Sequence, residues 1–336
     1  MGRLGRLFAL ILTAVIRVFF HTPIYLYQLA TASPPTRTTP RPPELDDPKY
    51  GTHFTSSSGL HYVDTGAPDN METYPTILFL HGFPEFFYSW RKQIPVLSAH
   101  ARCVAVDMRG YNDSVAPVGV GSYGMGHLVG DIAGLVDEIG GPVVLVAHDW
   151  GGVVAWPFAH THPDKVAKLV VMNAPHPKCF FPNLTWAQAK RSWYIAFFQI
   201  PFLPELMLAA GNMRFLKGSF RSRAMGVRNR DSFPEEDIDA YRYAHSRSGN
   251  LTAMLNYYRN LLIPPPRAIR TALNVPLQID TLVIWGRHDG ALGTELLGGI
   301  EAHVPNVSVE IVDASHWVQI DAADQVNTLL LDFISH

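Results

Sequence analysis

One aspartate stands between small residues at a predicted strand-to-helix junction. The motif AHDWGG at 147–152 follows the apolar run 143–146 and precedes a helical pattern. Small residues at its start and end permit a sharp turn that would hold Asp149 exposed between the two elements. A carboxylate in this place could attack carbon and form an alkyl ester, which is covalent nucleophilic catalysis. The helix N-terminus would favour its ionised form, although Asp149 could instead merely cap the helix.

A second turn could supply hydrogen-bond donors for that chemistry. The motif HGFPE at 81–85 follows the apolar run 77–80, the first strand that the sequence predicts. The backbone N–H of Phe83, together with that of Trp150, would form an oxyanion hole that stabilises a negatively charged tetrahedral intermediate. A plain turn without a catalytic part is the alternative.

An acid and a histidine follow late in the chain, each after a predicted strand. Asp289 comes shortly after the run 282–285, and His316 follows the run 307–312. The order nucleophile, acid, histidine is that of a catalytic triad whose histidine activates water and whose acid orients the histidine. The chain has fifteen histidines and 29 acidic residues, so either residue alone would carry little weight. Their shared position at strand ends favours the catalytic interpretation.

These residues would be positioned by a sheet whose strands alternate with helices. Helical patterns such as 128–139 and 153–160 lie between short apolar runs, and this alternation predicts a doubly wound, mostly parallel sheet. In 307–312 polar and apolar residues alternate, which predicts a half-exposed strand near the sheet edge. Ligand sites in such sheets lie beyond the carboxyl ends of the strands. The runs that predict fully buried strands are 77–80, 103–106, 143–146, 169–172 and 282–285.

The alternation is interrupted between residues 175 and 265. This stretch is rich in Trp, Tyr, Phe and Pro and has helical periodicity, so we expect a helical lid over the active edge of the sheet. The core would then comprise residues 50–174 and 266–336. Residues 31–49 contain many prolines among Ser, Thr and Arg, which predicts a stiff, extended linker before the folded domain.

The N-terminus has the pattern of a membrane segment. Residues 7–29 are mostly apolar and follow Arg3 and Arg6, a stretch long enough to span a bilayer with some tilt. Arg17 is an objection, because a charge near the bilayer centre costs roughly 2.5–3.5 kcal/mol. We expect residues 1–30 to be a single-pass membrane anchor. An amphipathic helix in the membrane plane and a cleaved signal peptide are the alternatives.

Composition and spacing argue against several classes of binding site. Twenty-seven basic and 29 acidic residues give a net charge of −2, which offers no electrostatic footprint for nucleic acid. The two cysteines, Cys103 and Cys179, are too few for a disulfide framework or a four-cysteine zinc site. His160 and His162 have metal-ligand spacing but lack a third ligand, so we expect a surface pair and no metal.

From about Tyr50 to the C-terminus, the sequence resembles the epoxide hydrolase branch of the α/β-hydrolase superfamily. With its apolar N-terminal stretch, the layout is similar to that of the membrane-anchored epoxide hydrolases of animals. One departure is Asn112, where members of the family usually carry glycine; Asn tolerates the left-handed backbone that such a loop requires. The matching motifs are HGFPE at 81–85, DMRGY at 107–111, AHDWGG at 147–152, NYYRN at 256–260 and ASHW at 314–317.

This resemblance implies a role for each residue of the catalytic set. Asp149 would be the nucleophile, His316 the general base and Asp289 the acid that orients it. Two lid tyrosines, Tyr194 and Tyr258, would donate hydrogen bonds to the epoxide oxygen. Attack on the ring would give an alkyl ester of the aspartate, and its hydrolysis would release a vicinal diol without a metal or an organic cofactor.

The resemblance also implies the partners. His81, Pro84 and Trp150 would contact the substrate, a small lipophilic epoxide such as that of a fatty acid. The membrane would be contacted through residues 7–29, with the membrane of the endoplasmic reticulum as the expected location. A haloalkane dehalogenase is the alternative, since it too uses an aspartate in this position and a tryptophan after the nucleophile can hold halide. The sequence indicates no oligomeric state.

Overall fold

The structure is a computed structural model that describes residues 40–69 and 72–335. The predicted anchor at 1–30 lies outside the described residues, as does the first half of the predicted linker. Within the described ranges, no helix is both long enough and apolar enough to cross a membrane.

The described residues form one eight-stranded sheet. The strands are β1 (Thr52–Thr55), β2 (His61–Asp64), β3 (Thr76–Leu80), β4 (Arg102–Val106), β5 (Val143–His148), β6 (Val166–Met172), β7 (Thr281–Gly286) and β8 (Val307–Val312). They lie in the order β1-β2-β4-β3-β5-β6-β7-β8. β1 and β2 are antiparallel to each other, and β2 is antiparallel to β4. The remaining neighbours are parallel, as expected for a doubly wound sheet.

Helices follow most of the strands. They are α1 (Ile94–Leu97), α2 (Met125–Ile139), α3 (Trp150–Thr161), α4 (Pro177–Phe180), α5 (Trp186–Arg191), α6 (Trp193–Phe197), α7 (Leu203–Arg221), α8 (Asp237–His245), α9 (Asn250–Asn260), α10 (Arg267–Ala272), α11 (Val318–Asp321) and α12 (Ala323–Ser335). Short 3₁₀ turns supply several of the remaining connections.

The central strands are buried on both faces, as their apolar sequences predict. In β3, Leu78 and Leu80 belong to the hydrophobic cluster on one face of the sheet, whereas Ile77 and Phe79 belong to the cluster on the other. Helices α2 and α3 contribute to the first cluster, and α1 and α12 to the second. β8 lies at the sheet edge with most of its residues partly or fully exposed. The predicted α/β-hydrolase fold is therefore confirmed.

The sheet has two more strands than the sequence predicted. β1 and β2 precede β3, so the run 77–80 is the third strand and not the first. Both extra strands have four residues, and β1 is largely exposed at the edge of the sheet. Such short strands with polar residues on both sides lack the continuous apolar pattern that revealed the buried ones.

The folded domain also begins earlier than predicted. Part of the expected linker forms 3₁₀ turns at Pro43–Asp46 and Pro48–Tyr50, and Leu45 in the first of them is fully buried. An extended linker is therefore wrong for this part of the chain. Proline suits the first position of a helical turn, because its φ angle is already helical and the missing N–H would have had no partner there.

Helices α4 to α9 form the lid, and they are inserted between the neighbouring strands β6 and β7. Helix α7 is interrupted at 210–213, where Gly211, Asn212 and Met213 have left-handed backbone angles. A buried ion pair between Arg91 of the core and Asp237 of α8 fixes the lid to the core, and Tyr88 donates a hydrogen bond to the same carboxylate (3.3 Å).

The histidine pair expected at the surface is partly buried instead. The Nε2 atoms of His160 and His176 are 3.0 Å apart, and the ring of His176 stacks on that of His303 at 5.1 Å. Burial, reinforced by the neighbouring His160, His303 and Lys178, lowers the pKa of His176 to about 3. Across the described ranges, no group of three His, Cys, Asp or Glu side chains could hold a metal ion.

This histidine cluster should make the protein less stable in acid. Because the pKa of His176 is lower in the folded than in the unfolded chain, its stability contribution is complete above about pH 6.5 and is lost as the pH falls towards the folded value. His176→Asn should flatten the acid limb of the stability curve by up to about 1.4 kcal/mol per pH unit. Urea unfolding between pH 7 and pH 4.5 measures this slope. The exposed His100, changed to Asn, is the control, and an unchanged slope in His176→Asn would contradict the assignment.

Candidate active site

Asp149 lies on a strained turn between β5 and α3. Its backbone has φ 48° and ψ −116°, a conformation that side chains other than glycine rarely adopt. Three glycines permit this turn, because their neighbours leave no room for a Cβ atom. A Cβ at Gly151 would lie 2.2 Å from the carbonyl oxygen of Leu80, and one at Gly82 would lie 2.5 Å from Cβ of Asp149 itself. A Cβ at Gly152 would lie 2.5 Å from that of Ala174.

The carboxylate of Asp149 is held between a backbone donor and a histidine. Its Oδ1 accepts a hydrogen bond from the Phe83 N–H (2.8 Å), and its Oδ2 lies 3.6 Å from Nε2 of His316. Burial alone would raise the pKa of Asp149, but the contact with His316, the charge of His148 and the Phe83 amide together lower it below the usual value. Asp149 is therefore ionised at neutral pH.

His316 lies between two aspartates. Its Nδ1 is 2.7 Å from Oδ2 of Asp289, and its Nε2 faces Asp149. Burial would lower the pKa of His316, but the two carboxylates outweigh that effect and raise it to about 10. The site thus holds a histidine cation and the carboxylate of Asp149 side by side.

Asp289 is fixed from three sides. Its Oδ1 accepts hydrogen bonds from the backbone N–H groups of Ala291 (2.7 Å) and Leu292 (2.8 Å). Its Oδ2 accepts from the side chain of Asn173 (2.6 Å) as well as from His316. These bonds leave the carboxylate one orientation, which in turn determines that of the imidazole ring.

Asn173 directly follows the predicted strand 169–172, but the sequence did not identify it as part of the site. The residue follows β6, has φ 46°, and also accepts the Gly286 N–H through its side chain (3.3 Å). It therefore joins the ends of β6 and β7 directly beneath the acid. A polar residue at a buried strand end was the available signal, but its partner lies 116 residues later.

A buried network lies beneath the turn that holds Phe83. Oε2 of Glu85 accepts hydrogen bonds from the Gly82 N–H (2.9 Å) and from Nδ1 of His148 (2.7 Å), while Nε2 of His148 contacts the carbonyl oxygen of His316 (2.9 Å). Gln319 donates to the other oxygen of Glu85 (2.7 Å). The amide nitrogen of Gln319 also lies 3.3 Å from Nδ1 of His148. The network links the donor turn to the loop of the histidine.

The two lid tyrosines meet above this arrangement. The rings of Tyr194 and Tyr258 contact each other edge to face with centroids 5.8 Å apart, and Tyr258 packs against Trp150 (5.0 Å) and Phe83 (5.3 Å). Burial and the nearby charge of Asp149 raise the pKa of both tyrosines far above the usual value, so both keep their protons at neutral pH. Neighbouring Tyr257 instead donates to the carbonyl of Arg109 (2.7 Å), as expected of a packing residue.

Two of the residues expected to contact substrate support the backbone. His81 is fully buried, with Nδ1 bonded to the carbonyl of Gly82 (2.8 Å) and Nε2 accepting the Met108 N–H (2.9 Å). The carbonyl of Pro84 accepts from His245 (2.9 Å). Because both nitrogens of His81 are used in this way, we interpret it as a support of the turn. Trp150 remains beside the tyrosines, and its N–H is the first of α3, where no helical carbonyl can serve as acceptor.

Asn112, the departure from the family motif, has φ 41°, the left-handed conformation that Asn was expected to tolerate. Its amide nitrogen donates to Asp107 (2.7 Å), so it is integrated in the loop beside the site.

The chain resembles known α/β-hydrolases over most of its length. The family described as "alpha/beta hydrolase fold" matches residues 75–323. The chain is similar to epoxide hydrolase 1 of Caenorhabditis elegans, with 39% identity over 82% of this chain and 68% of that one. It is also similar to human epoxide hydrolase 4, with 38% identity over 89% and 83% of the two chains. A crystal structure of Bacillus megaterium epoxide hydrolase with an inhibitor superposes with a TM-score of 0.72, at 32% identity, over 85% of this chain and 100% of that one.

The close approach at the strained turn gives a test that needs no assay of activity. Gly151→Ala places a methyl group against the carbonyl of Leu80, so the turn must shift, and we expect a loss of roughly 1–3 kcal/mol in the free energy of unfolding. Gly130→Ala in α2 is the matched control, because no atom lies within 4 Å of its added Cβ. That change should stabilise the helix by about 0.5–1 kcal/mol. Similar unfolding midpoints in urea for the two variants would show that the turn tolerates a side chain.

Proposed function

This chain belongs to the epoxide hydrolases of the α/β-hydrolase fold family, and we propose that it converts lipophilic epoxides to vicinal diols through an ester of Asp149. The proposal rests on the position of the ionised Asp149, which lies between the Phe83 amide and His316. Two protonated lid tyrosines lie nearby. A carboxylate that faces proton donors suits a substrate with an electrophilic carbon and a basic oxygen.

In the first step, an oxygen of Asp149 attacks a ring carbon of the epoxide. The new ester bond forms as the C–O bond of the ring breaks, and the electron pair of that bond goes to the epoxide oxygen. Tyr194 and Tyr258 hold this oxygen, and one of them transfers its proton to it, so a neutral hydroxyl forms and not a free alkoxide. The raised pKa of both tyrosines means that they enter the step with their protons in place.

Ester formation changes the state of His316. In the resting site, the charge of Asp149 helps to hold the pKa of His316 at about 10. That charge disappears when Asp149 becomes a neutral ester, so the pKa of His316 must fall. The proton that His316 gives up restores the tyrosine that protonated the epoxide oxygen. The neutral imidazole is thus produced by the first step, at the moment when the second step needs a base.

In the second step, neutral His316 takes a proton from water, and the resulting hydroxide attacks the carbonyl carbon of the ester. The oxyanion of the tetrahedral intermediate lies near the backbone N–H groups of Phe83 and Trp150. The intermediate collapses to the carboxylic acid of Asp149, and the departing oxygen takes the proton from His316 as the diol leaves. The acid then gives its proton to His316, which restores the ion pair of the resting site. Asp289 holds the ring in position throughout.

The surroundings of the tyrosines favour apolar substrates. Phe83, Phe198 and Trp150 pack around Tyr258 with ring centroids between 4.9 and 5.3 Å from its own. An apolar epoxide, such as one derived from a fatty acid, would replace contacts of this kind without leaving a charge buried. We further propose that residues 7–29 attach the chain to a membrane, where such substrates dissolve, with the endoplasmic reticulum as the expected location.

Replacing His316 by Gln should separate the two steps. The carboxylate of Asp149 can still attack, whereas no base remains to activate water, so the ester should accumulate. We expect intact mass spectrometry to show one added substrate mass, and peptide mapping to place it on Asp149. The double variant His316→Gln with Asp149→Asn is the control and should stay unmodified. If the single variant binds epoxide yet stays unmodified as well, the ester mechanism is not supported.

Removing the lid hydroxyls should distinguish epoxide opening from dehalogenation. Tyr194→Phe and Tyr258→Phe should each slow ester formation, and the double variant should lose roughly 10²–10⁴-fold or more, because proton donation contributes about that much. Tyr257→Phe is the matched control, since its hydroxyl bonds the Arg109 carbonyl. Diol and halide release are measured side by side on epoxides and haloalkanes. Faster halide release by the parent enzyme, or full epoxide activity in the double variant, would favour the dehalogenase.

A further inference from the structure

Six apolar side chains are exposed together where the end of the lid meets the core. Val118 is 92% exposed, Phe202 79% and Leu262 65%. The full set, which we call the apolar rim, is Val118, Phe202, Leu206, Leu261, Leu262 and Ile263. Single exposed apolar residues are common in soluble proteins, but a contiguous group of large ones marks a surface that contacts a protein or a membrane.

Side-chain bonds hold the three segments of the apolar rim side by side. Arg259 binds both carboxylate oxygens of Glu205 (2.7 and 3.0 Å) and donates to the carbonyl of Ile200 (3.2 Å), which joins the end of α9 to the start of α7. Asn260 donates to the carbonyl of Val120 (2.9 Å), which joins the same helix end to the loop after β4. The rim is therefore one surface arranged around the C-terminal end of α9.

This surface carries no net charge. Across the segments 117–121, 201–206 and 259–266, the charged residues are Arg259 and Glu205, which neutralise each other in their ion pair. Prolines and aliphatic residues make up most of the remainder. A surface of this kind suits an apolar partner without a charge pattern, and it can contact neutral lipid headgroups as well as charged ones.

The backbone of Phe202 is held in a strained state that presents its ring to the outside. Its φ of 63° lies in the left-handed region, which costs an aromatic residue free energy, and its side chain is nevertheless mostly exposed. A strained backbone that places a phenyl ring in water is expected where a further contact compensates for both.

The rim adjoins the catalytic chemistry. Tyr258 directly precedes Arg259 on α9, and Gln199 donates to the backbone carbonyl of Tyr258 (2.8 Å) while the neighbouring Phe198 packs on its ring (4.9 Å). The helix end that the rim surrounds is therefore the one that supplies a donor for the epoxide oxygen. A molecule arriving at the rim is within a few residues of the reacting group.

The first described residues lie about one helix length from the rim, near the other end of α9. Arg41 contacts Asp113 (3.2 Å), which lies in a loop that runs along α9. At one end of this loop the carbonyl of Asn112 accepts a hydrogen bond from Asn250 (3.1 Å), and at the other end the carbonyl of Val120 accepts one from Asn260. Helix α9 has 11 residues and is about 16 Å long, so Arg41 and the rim are about one helix length apart. The apolar run at 7–29 precedes this point in the sequence.

We propose that the apolar rim rests on a lipid bilayer and inserts its side chains among the lipid headgroups. The predicted anchor would hold the chain at the membrane, and the rim would orient the catalytic domain so that the end of α9 faces the lipid. An apolar epoxide then passes from the bilayer to the site without crossing water. The contact itself does not depend on the proposed epoxide chemistry.

The test places a fluorescent reporter on the rim of the full chain in phosphatidylcholine vesicles. Both native cysteines are buried, so a polarity-sensitive dye reacts selectively with the exposed cysteine of Leu262→Cys. Val275→Cys is the matched control, because Val275 is 63% exposed but precedes β7 at the opposite end of the sheet. Lipids that carry a nitroxide near the headgroup should quench the dye at 262 and leave the dye at 275 bright.

Equal brightness of the two dyes in vesicle-bound protein would overturn the proposal. So would efficient disulfide linkage between copies of the Leu262→Cys chain in the vesicles, because a second copy would then cover the rim. A protein partner would likewise leave the dye at 262 unquenched in vesicles that hold this chain alone.

Kinetics provide a second test. The double variant Phe202→Ser with Leu262→Ser changes exposed side chains, so the fold should be retained. Its KM for an epoxide dissolved in vesicles should rise severalfold, while kcat/KM for a short, water-soluble epoxide should match that of the parent. An unchanged KM in vesicles would count against the rim. If the parent hydrolysed neither epoxide, the proposed activity would be refuted. The membrane contact would then be tested by the quenching experiment alone.

Discussion

A negative charge that is buried yet must remain ionised is the constraint on which this structure depends. Asp149 keeps its charge because a backbone N–H and a histidine cation offset the cost of its burial. These groups come from distant parts of the sequence, so they can meet at one point only if several strands end there. The parallel sheet provides that point, and the strain at the turn keeps the carboxylate facing it.

The polar groups beneath Asp149, Asp289 and His316 matter as much as these three residues themselves. Glu85 and His148 join the Phe83 turn to the carbonyl of His316, and Asn173 joins the ends of β6 and β7 beneath Asp289. Each link is buried and made at hydrogen-bond distance, so a shift of one catalytic side chain would break a bond that water cannot replace. The hydrogen bonds that set the spacing of these side chains therefore also contribute to the folding free energy of the domain.

The sequence predicted the elements whose signal is local. Buried strands such as β3 and β5 are short apolar runs, and the turn at Asp149 needs glycines that can be read directly. Features that arise from contacts between distant segments were missed or misjudged. β1 is exposed and polar, and Leu45 is buried only because the core lies beside it. His160 was expected at the surface but is partly buried, because it contacts His176, which follows β6. The support given to Asp289 by Asn173 belongs to this second group.

The lid is inserted between β6 and β7, which are neighbours in the sheet. Both ends of the insertion are therefore fixed by the same pair of parallel strands, and its length has no effect on the separation of Asp149, Asp289 and His316. Over evolutionary time, substitutions and insertions can accumulate in the lid while the reaction centre keeps its dimensions. In the proposed mechanism, the two tyrosine hydroxyls are the part of the lid that must stay in position relative to the core. Divergence in substrate range within such a family can thus proceed without divergence in chemistry.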